Sequence, residues 1–285
     1  MTWRRISLSA VAALWALACV AHAQDSALVP VTVDGETVKL MMRWYKPDGA
    51  GPFPTVVFNH GSTGRGNDPA LFDRPVDFPQ LGRFLVERGW AVVIPARRGR
   101  GGSEGRYDEG FSAARTSGYS CEPTVAIAGA ERALRDIAAA IAAIVEMGFV
   151  DRTRLVIAGQ SRGGILSTAY AGRHGDQVKG AINFVGGWLG TRCDTAAAVN
   201  QALFVRGAGY PQPILWIYGD NDSFYALSHS RANFAAFRGA GGRGEFLELQ
   251  PPAGTNGHRV IGYPELWGAQ LEAYLQARGL PSGRP

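Results

Sequence analysis

Cysteine and lysine are scarce in this 285-residue chain, and long apolar runs are missing beyond its first two dozen residues. The three cysteines, Cys19, Cys121 and Cys193, form no Cys-x-x-Cys pair and no Cys/His cluster. That argues against the common zinc frameworks, and no metal or other cofactor is expected. Lysine occurs only as Lys39, Lys46 and Lys179, so nearly all the positive charge is arginine, within a formal net charge of +5. The arginines are dispersed apart from Arg97, Arg98, Arg100 and Arg106. A nucleic-acid surface needs a basic stripe carrying stacking aromatics, and none is present. The cluster reads either as a solvated connection or as a rim favouring anionic or carbonyl-rich substrates. No internal repeat or low-complexity linker interrupts the chain.

The one apolar run at the start, Leu8 to Val20, is shorter than the roughly 20 residues an ordinary spanning helix needs. Arg4 and Arg5 precede it, and Ala21-His22-Ala23 follows with small residues at alternate positions. This is the form of a signal peptide over residues 1–23, cut after Ala23, with an uncleaved anchor as the alternative. The expected mature protein is secreted or periplasmic and leaves the membrane when the signal is removed. In an oxidising compartment the remaining pair, Cys121 and Cys193, is expected to form one disulfide; two separate buried thiols are the alternative.

What is abundant is apolar and small: 46% hydrophobic residues and 38 glycines. The length suits one large α/β domain over residues 24–285. Strand patterns at Val29–Val33 and Val38–Tyr45 flank the hairpin signal Asp34-Gly35. Buried-type strands follow at Thr55–Asn59, Trp90–Ile94, Leu155–Ala158, Val178–Val185, Ile214–Tyr218 and Glu245–Leu249. Between them lie helical patterns at Phe78–Arg88, Val125–Met147, Gly164–His174, Phe224–Phe237 and Pro264–Ala277, with Gly175 read as a helix stop. Such alternation means a largely parallel sheet with helices on both faces. Two irregular, cap-like stretches are expected near residues 97–124 and 186–212. Long aperiodic loops in a compact domain are usually functional or partly mobile.

Chemistry concentrates at Gly159-Gln160-Ser161-Arg162-Gly163. A strand running through Gly-x-Ser-x-Gly into a helix is the nucleophile-elbow pattern, with the serine perched on a sharp turn. Gly101-Gly102-Ser103-Glu104-Gly105 has the same spelling but neither flanking element, so Ser161 is the expected nucleophile. A serine hydroxyl needs a base, and His258 in the loop before the last helix follows the acid candidates in chain order. His60, His174 and His229 occupy less suitable places; His60 is either a loop-fixing residue or a hydrogen-bonded core histidine. Asp222 is the favoured acid and Asp220 the alternative, each also readable as a turn or capping residue. Backbone N–H groups of Ser62 and Arg162 are the expected oxyanion donors.

Taken together, His60-Gly61, Arg98-Gly99-x-Gly-Gly-Ser103, Gly159-Gln160-Ser161-Arg162-Gly163-Gly164, Gly219-x-x-Asp222 and Gly257-His258 resemble the α/β-hydrolase superfamily. The narrower resemblance is to its dienelactone-hydrolase and prolyl-oligopeptidase-like serine esterase branch. That resemblance implies an eight-stranded, mostly parallel sheet and hydrolysis through an acyl-serine. Dienelactone hydrolases proper carry cysteine where this chain has Ser161, so general carboxylic esters are the expected small-molecule substrates. A peptidase acting on short peptides and a catalytically silent binding protein are the rival readings, and either a monomer or a homodimer is expected. Tyr107, Phe111, Tyr119, Trp188 and Tyr210 are readable as pocket aromatics or as plain core.

Overall fold

A computed structural model describes residues 24–283. The expected signal segment with its cut after Ala23 lies outside the described residues. Among the described residues, no helix is long and apolar enough to cross a membrane.

The chain opens with a hairpin, β1 (Gln24–Val33) and β2 (Glu36–Tyr45). Its turn residues Asp34 and Gly35 both have positive φ, 54° and 81°, as a two-residue turn matched to strand twist requires. The apolar runs then fold as β3 (Phe53–Asn59), β4 (Ala91–Pro95), β5 (Val150–Gln160), β6 (Gly180–Phe184), β7 (Ile214–Gly219) and β8 (Gly244–Leu249). They make one eight-stranded sheet of order β1-β2-β4-β3-β5-β6-β7-β8. β2 is antiparallel to both its neighbours, and the pairs from β4 to β8 are parallel. The central strands β4, β6 and β7 are buried along their whole length, which explains why they read as unbroken hydrophobic runs rather than alternating ones.

Helices α1 (Pro79–Val86), α2 (Pro123–Ile144), α3 (Arg162–Arg173), α4 (Ala196–Phe204), α5 (Leu227–Gly239) and α6 (Pro264–Gln276) cover this sheet. α1 packs on α6, with Phe84 edge-on to Trp267 at 4.9 Å, while α2 to α5 pack in series. The connection from β4 to β5 passes across β3, so sheet growth reverses there. In open α/β sheets such a reversal leaves a crevice beyond the strands' carboxyl ends.

Three expectations need correction. The stretch from Gly186 to Tyr210 is not irregular throughout: it contains α4 and a 3-10 turn at Val205–Gly209. The fifth helix begins at Leu227 rather than Phe224, because Asp222 Oδ1 accepts the N–H groups of Phe224 and Tyr225 and holds that segment in a turn. Gly175 does follow the end of its helix as expected, but it stops the helix without a positive φ. α3 ends on His174, and a Cβ at Gly175 would lie 2.9 Å from Pro211 Cδ, so close packing is what the glycine serves.

Candidate active site

β5 delivers Ser161 to the crevice. The residue adopts φ 58° and ψ −124°, a strained conformation for a side chain with a Cβ. The turn fits because its flanks are bare. A Cβ on Gly163 would stand 1.9 Å from Asn59 O of β3, and one on Gly61 would stand 3.0 Å from Ser161 Cβ. α3 starts at Arg162, so the Arg162 N–H is among the helix's first four donors, which have no acceptor inside the helix. Ser103 of the second pentapeptide is buried, donates to Ala96 O at 2.7 Å and accepts from Met41 N–H at 2.8 Å. It ties the end of β4 to β2 and does not line the cavity that holds Ser161.

The loops after β7 and β8 bring Asp222 and His258 together across 36 residues. His258 Nδ1 donates to Asp222 Oδ2 at 2.8 Å. The carboxylate is thus divided, one oxygen fixing its own turn and the other the imidazole. Gln160, next to the serine, donates to His258 O at 2.7 Å, and the Asn256 side chain accepts the His258 N–H. Ser161 and His258 line the same cavity. Asp220 is exposed and its carboxylate accepts the neighbouring Asn221 N–H. Of the other histidines, His174 stacks on Tyr170 at 4.5 Å and His229 meets Asn200 Nδ2 at 2.9 Å.

His60 fixes the loop after β3. It is buried, its Nδ1 donates to Gly61 O at 2.7 Å, and its Nε2 accepts the Arg97 N–H at 3.1 Å. Both ring nitrogens are therefore committed in the neutral form. Burial, then the nearby charges of Arg97 and Arg100, hold its pKa well below the ordinary 6.5. Ser62, the residue after Gly61, lines the cavity.

Of the arginine cluster only Arg106 is exposed as a solvated connection would be; the other three are neither solvated nor, for the most part, a rim. Arg97, Arg98 and Arg100 are buried. Arg97 pairs with Glu109 at 2.5 Å, and Arg98 pairs with Asp136 at 2.6 Å and Asp34 at 2.9 Å. Arg100 donates to Phe72 O at 3.2 Å and reaches the cavity wall. Arg162, beside the serine, also meets Glu109. Burial pushes the Glu109 carboxyl up, but Arg97 and Arg162 more than offset it and leave the pKa below its ordinary value.

Two residues at the site had no sequence signal. Glu109 sits in an aperiodic loop. Tyr225, three residues past Asp222, is buried with its hydroxyl against Ser161; burial raises the phenol pKa, and the Arg162 charge and then the serine contact partly oppose it.

The cavity measures about 580 Å³. Tyr119 and Trp188 line it, whereas Tyr107, Phe111 and Tyr210 are core residues. Arg65, Arg74, Arg100, Arg162 and Arg192 also reach its walls. Asp77 is the one carboxylate among the described lining residues, and it already accepts from Tyr45, Gln24 and the Phe78 N–H. Cys121 and Cys193 are joined at the mouth, Cα atoms 5.4 Å apart, linking the loop after β4 to the segment after β6. No group of three or more His, Cys, Asp or Glu side chains placed to hold a metal occurs among the described residues.

Residues 74–237 match the profile of the family described as serine aminopeptidase, S33. No curated protein sequence matches the chain. Solved structures do. The esterase Pf2001 of Pyrococcus furiosus superposes with a TM-score of 0.61 at 15% identity, over 96% of this chain and 98% of the esterase. The acylaminoacyl peptidase of Pyrococcus horikoshii gives 0.58 at 17% identity, over 90% of this chain but 41% of the peptidase. Est1E of Butyrivibrio proteoclasticus gives 0.52 at 17%, over 81% and 90% of the two chains.

Proposed function

We propose, from the premise that the chain belongs to the serine aminopeptidase S33 family of α/β hydrolases, that it is an exported enzyme cleaving carboxylic esters through an acyl-serine. The observation that carries this reading is the Asp222–His258 pair facing the same cavity as the strained Ser161. Ser161 Oγ, turning from Tyr225 toward His258 Nε2, attacks the ester carbonyl carbon while the imidazole takes its proton. The imidazolium, stabilised by Asp222, returns that proton to the departing alcohol oxygen as the carbon–oxygen bond breaks. Water then repeats the sequence on the acyl-enzyme and releases the acid. The N–H groups of Ser62 and Arg162 receive the developing oxyanion.

The cavity's charge favours esters over free peptides. An aminopeptidase must hold a substrate ammonium, which calls for an uncommitted carboxylate. Asp77 already serves three donors, and arginines dominate the other charged lining groups. The peptidase reading draws on the family's own description, and its substrates would have blocked amino ends. The Cys121–Cys193 link belongs to this proposal as the native state of an exported protein, with the two loops it joins forming the cap over the site.

Ser161→Ala should lower kcat on a p-nitrophenyl short-chain ester by about 10⁴-fold or more and leave the unfolding transition in place. Asp222→Asn should cost far more turnover than Asp220→Asn. Undiminished hydrolysis by the Ser161 variant overturns the reading; cleavage of peptide nitroanilides without ester cleavage turns it to the peptidase.

A further inference from the structure

Glu109 is a carboxylate, 2% exposed, held between two arginines, and the proposed chemistry gives it nothing to do. Burying three charged groups costs several kcal/mol per ion, so such a triad is weak evidence for stability. Its connections are more informative. On one side Glu109 Oε1 pairs with Arg97 Nε at 2.5 Å. Arg97 Nη1 donates to His60 O at 2.9 Å and its backbone N–H to His60 Nε2 at 3.1 Å. His60 Nδ1 in turn donates to Gly61 O at 2.7 Å, with longer contacts of 3.5 Å from Arg97 and Arg100 to the same oxygen. The Gly61–Ser62 peptide is planar and trans, so gripping its carbonyl aims the Ser62 N–H the opposite way.

On the other side Glu109 O accepts from Arg162 Nη1 at 2.8 Å, and Oε2 lies 3.4 Å from the same nitrogen. Arg162 Nε donates to Trp188 O at 3.1 Å, and its guanidinium lies over the rings of Tyr119 and Trp188 at 3.6 and 4.0 Å. Tyr107 donates its hydroxyl to Glu109 Oε2 at 3.0 Å, which restrains the carboxylate from behind. Arg162 owns the second proposed oxyanion N–H.

We propose that Glu109 is a positioning residue that locks the two oxyanion donors, Ser62 N–H and Arg162 N–H, to each other through Arg97 and Arg162. The proposal rests on the serine-hydrolase reading of the site. Its effect falls on the transition state, because the oxyanion forms only after attack. Charge alone predicts the reverse sign: removing a negative group near the oxyanion leaves two arginines in excess and should help it.

The test compares Glu109→Gln and Glu109→Asp with the intact protein. It measures kcat and KM on a p-nitrophenyl short-chain ester and the Ki of a trifluoromethyl ketone, which adds to the serine as a tetrahedral oxyanion. For Glu109→Gln we expect kcat to fall about 10- to 100-fold, less than the roughly 10²–10³-fold cost of deleting a donor outright. KM should stay within about threefold, and the Ki should rise by the factor that kcat/KM loses. Glu109→Asp, charged but a methylene short, should fall between. Unchanged or raised kcat in a folded Glu109→Gln protein overturns the proposal, as does a lower kcat with unchanged Ki. If Glu109→Gln does not fold, Glu109→Asp decides by the same criteria. If neither folds, Glu109 serves the fold and the proposal falls. A dead Ser161→Ala beside a fully active Glu109→Gln sinks this proposal alone, whereas an intact protein whose Ser161 resists a fluorophosphonate probe sinks the serine-hydrolase reading as well.

Discussion

His60 and His258 carry the same ring in opposite surroundings. His258 has a carboxylate on Nδ1 and the cavity in front of it. His60 is sealed in, with a carbonyl on one nitrogen and an N–H on the other. Burial, and then the charges of Arg97 and Arg100, keep its folded-state pKa below the ordinary 6.5. The sign follows from linkage. Below about 6.5 the unfolded chain takes up a proton that the folded chain refuses, so stability falls as pH falls. One such fully buried histidine accounts for at most about 1.4 kcal/mol per pH unit. Urea midpoints should therefore decline between pH 7 and pH 5, with a shallower decline in His60→Gln; equal slopes in the two proteins would refute this. The two uses proposed for His60 in the sequence, loop-fixing and buried core, turn out to be one arrangement. Glu109 and Tyr225 were illegible because their partners come together only in the folded chain.

At the scale of elements, the elbow was the most readable feature because its requirements are local: a strand, bare flanks, a helix. Gly163 illustrates how strict they are. Gly163→Ala puts a methyl into Asn59 O, so β3 and α3 must separate. Overpacking of this kind costs about 1–3 kcal/mol and sometimes more, and here it also displaces the loop bearing Ser62. Urea unfolding and kcat should both show the loss, and a stable, fully active variant would contradict the packing described. α4 went unread for an equally local reason. Thr195, which precedes it, makes no capping bond to the helix and spends its hydroxyl on Cys121 O. In the sequence Thr195 offers a cap, but with Ala198 where a Glu or Gln would complete the signal, nine residues look like loop. The start of α5 was misplaced because Asp222, which resembles a cap, is engaged by its turn and by His258.

Over the whole molecule, the sheet type was legible, since it follows from how apolar runs and loops alternate along the chain, and the same alternation put the candidate site residues on loops at one end of the sheet. Charge pairing was not legible. Arg97 finds its partner twelve residues away, and Arg98 finds partners in α2 and in the β1–β2 turn. Nothing in composition or spacing announces contacts made by tertiary folding, so the cluster looked like surface. The burial of the Arg97–Glu109 and Arg98–Asp136 pairs has a consequence for how the protein meets its medium. Mobile ions screen exposed charges within about a Debye length but act weakly on pairs from which water is excluded. Turnover of an uncharged ester should therefore stay level from roughly 0.05 to 0.5 M sodium chloride, and a rate that sagged with added salt would mean that these pairs open to solvent. A site built on such pairs would stay assembled in fresh water and brine alike.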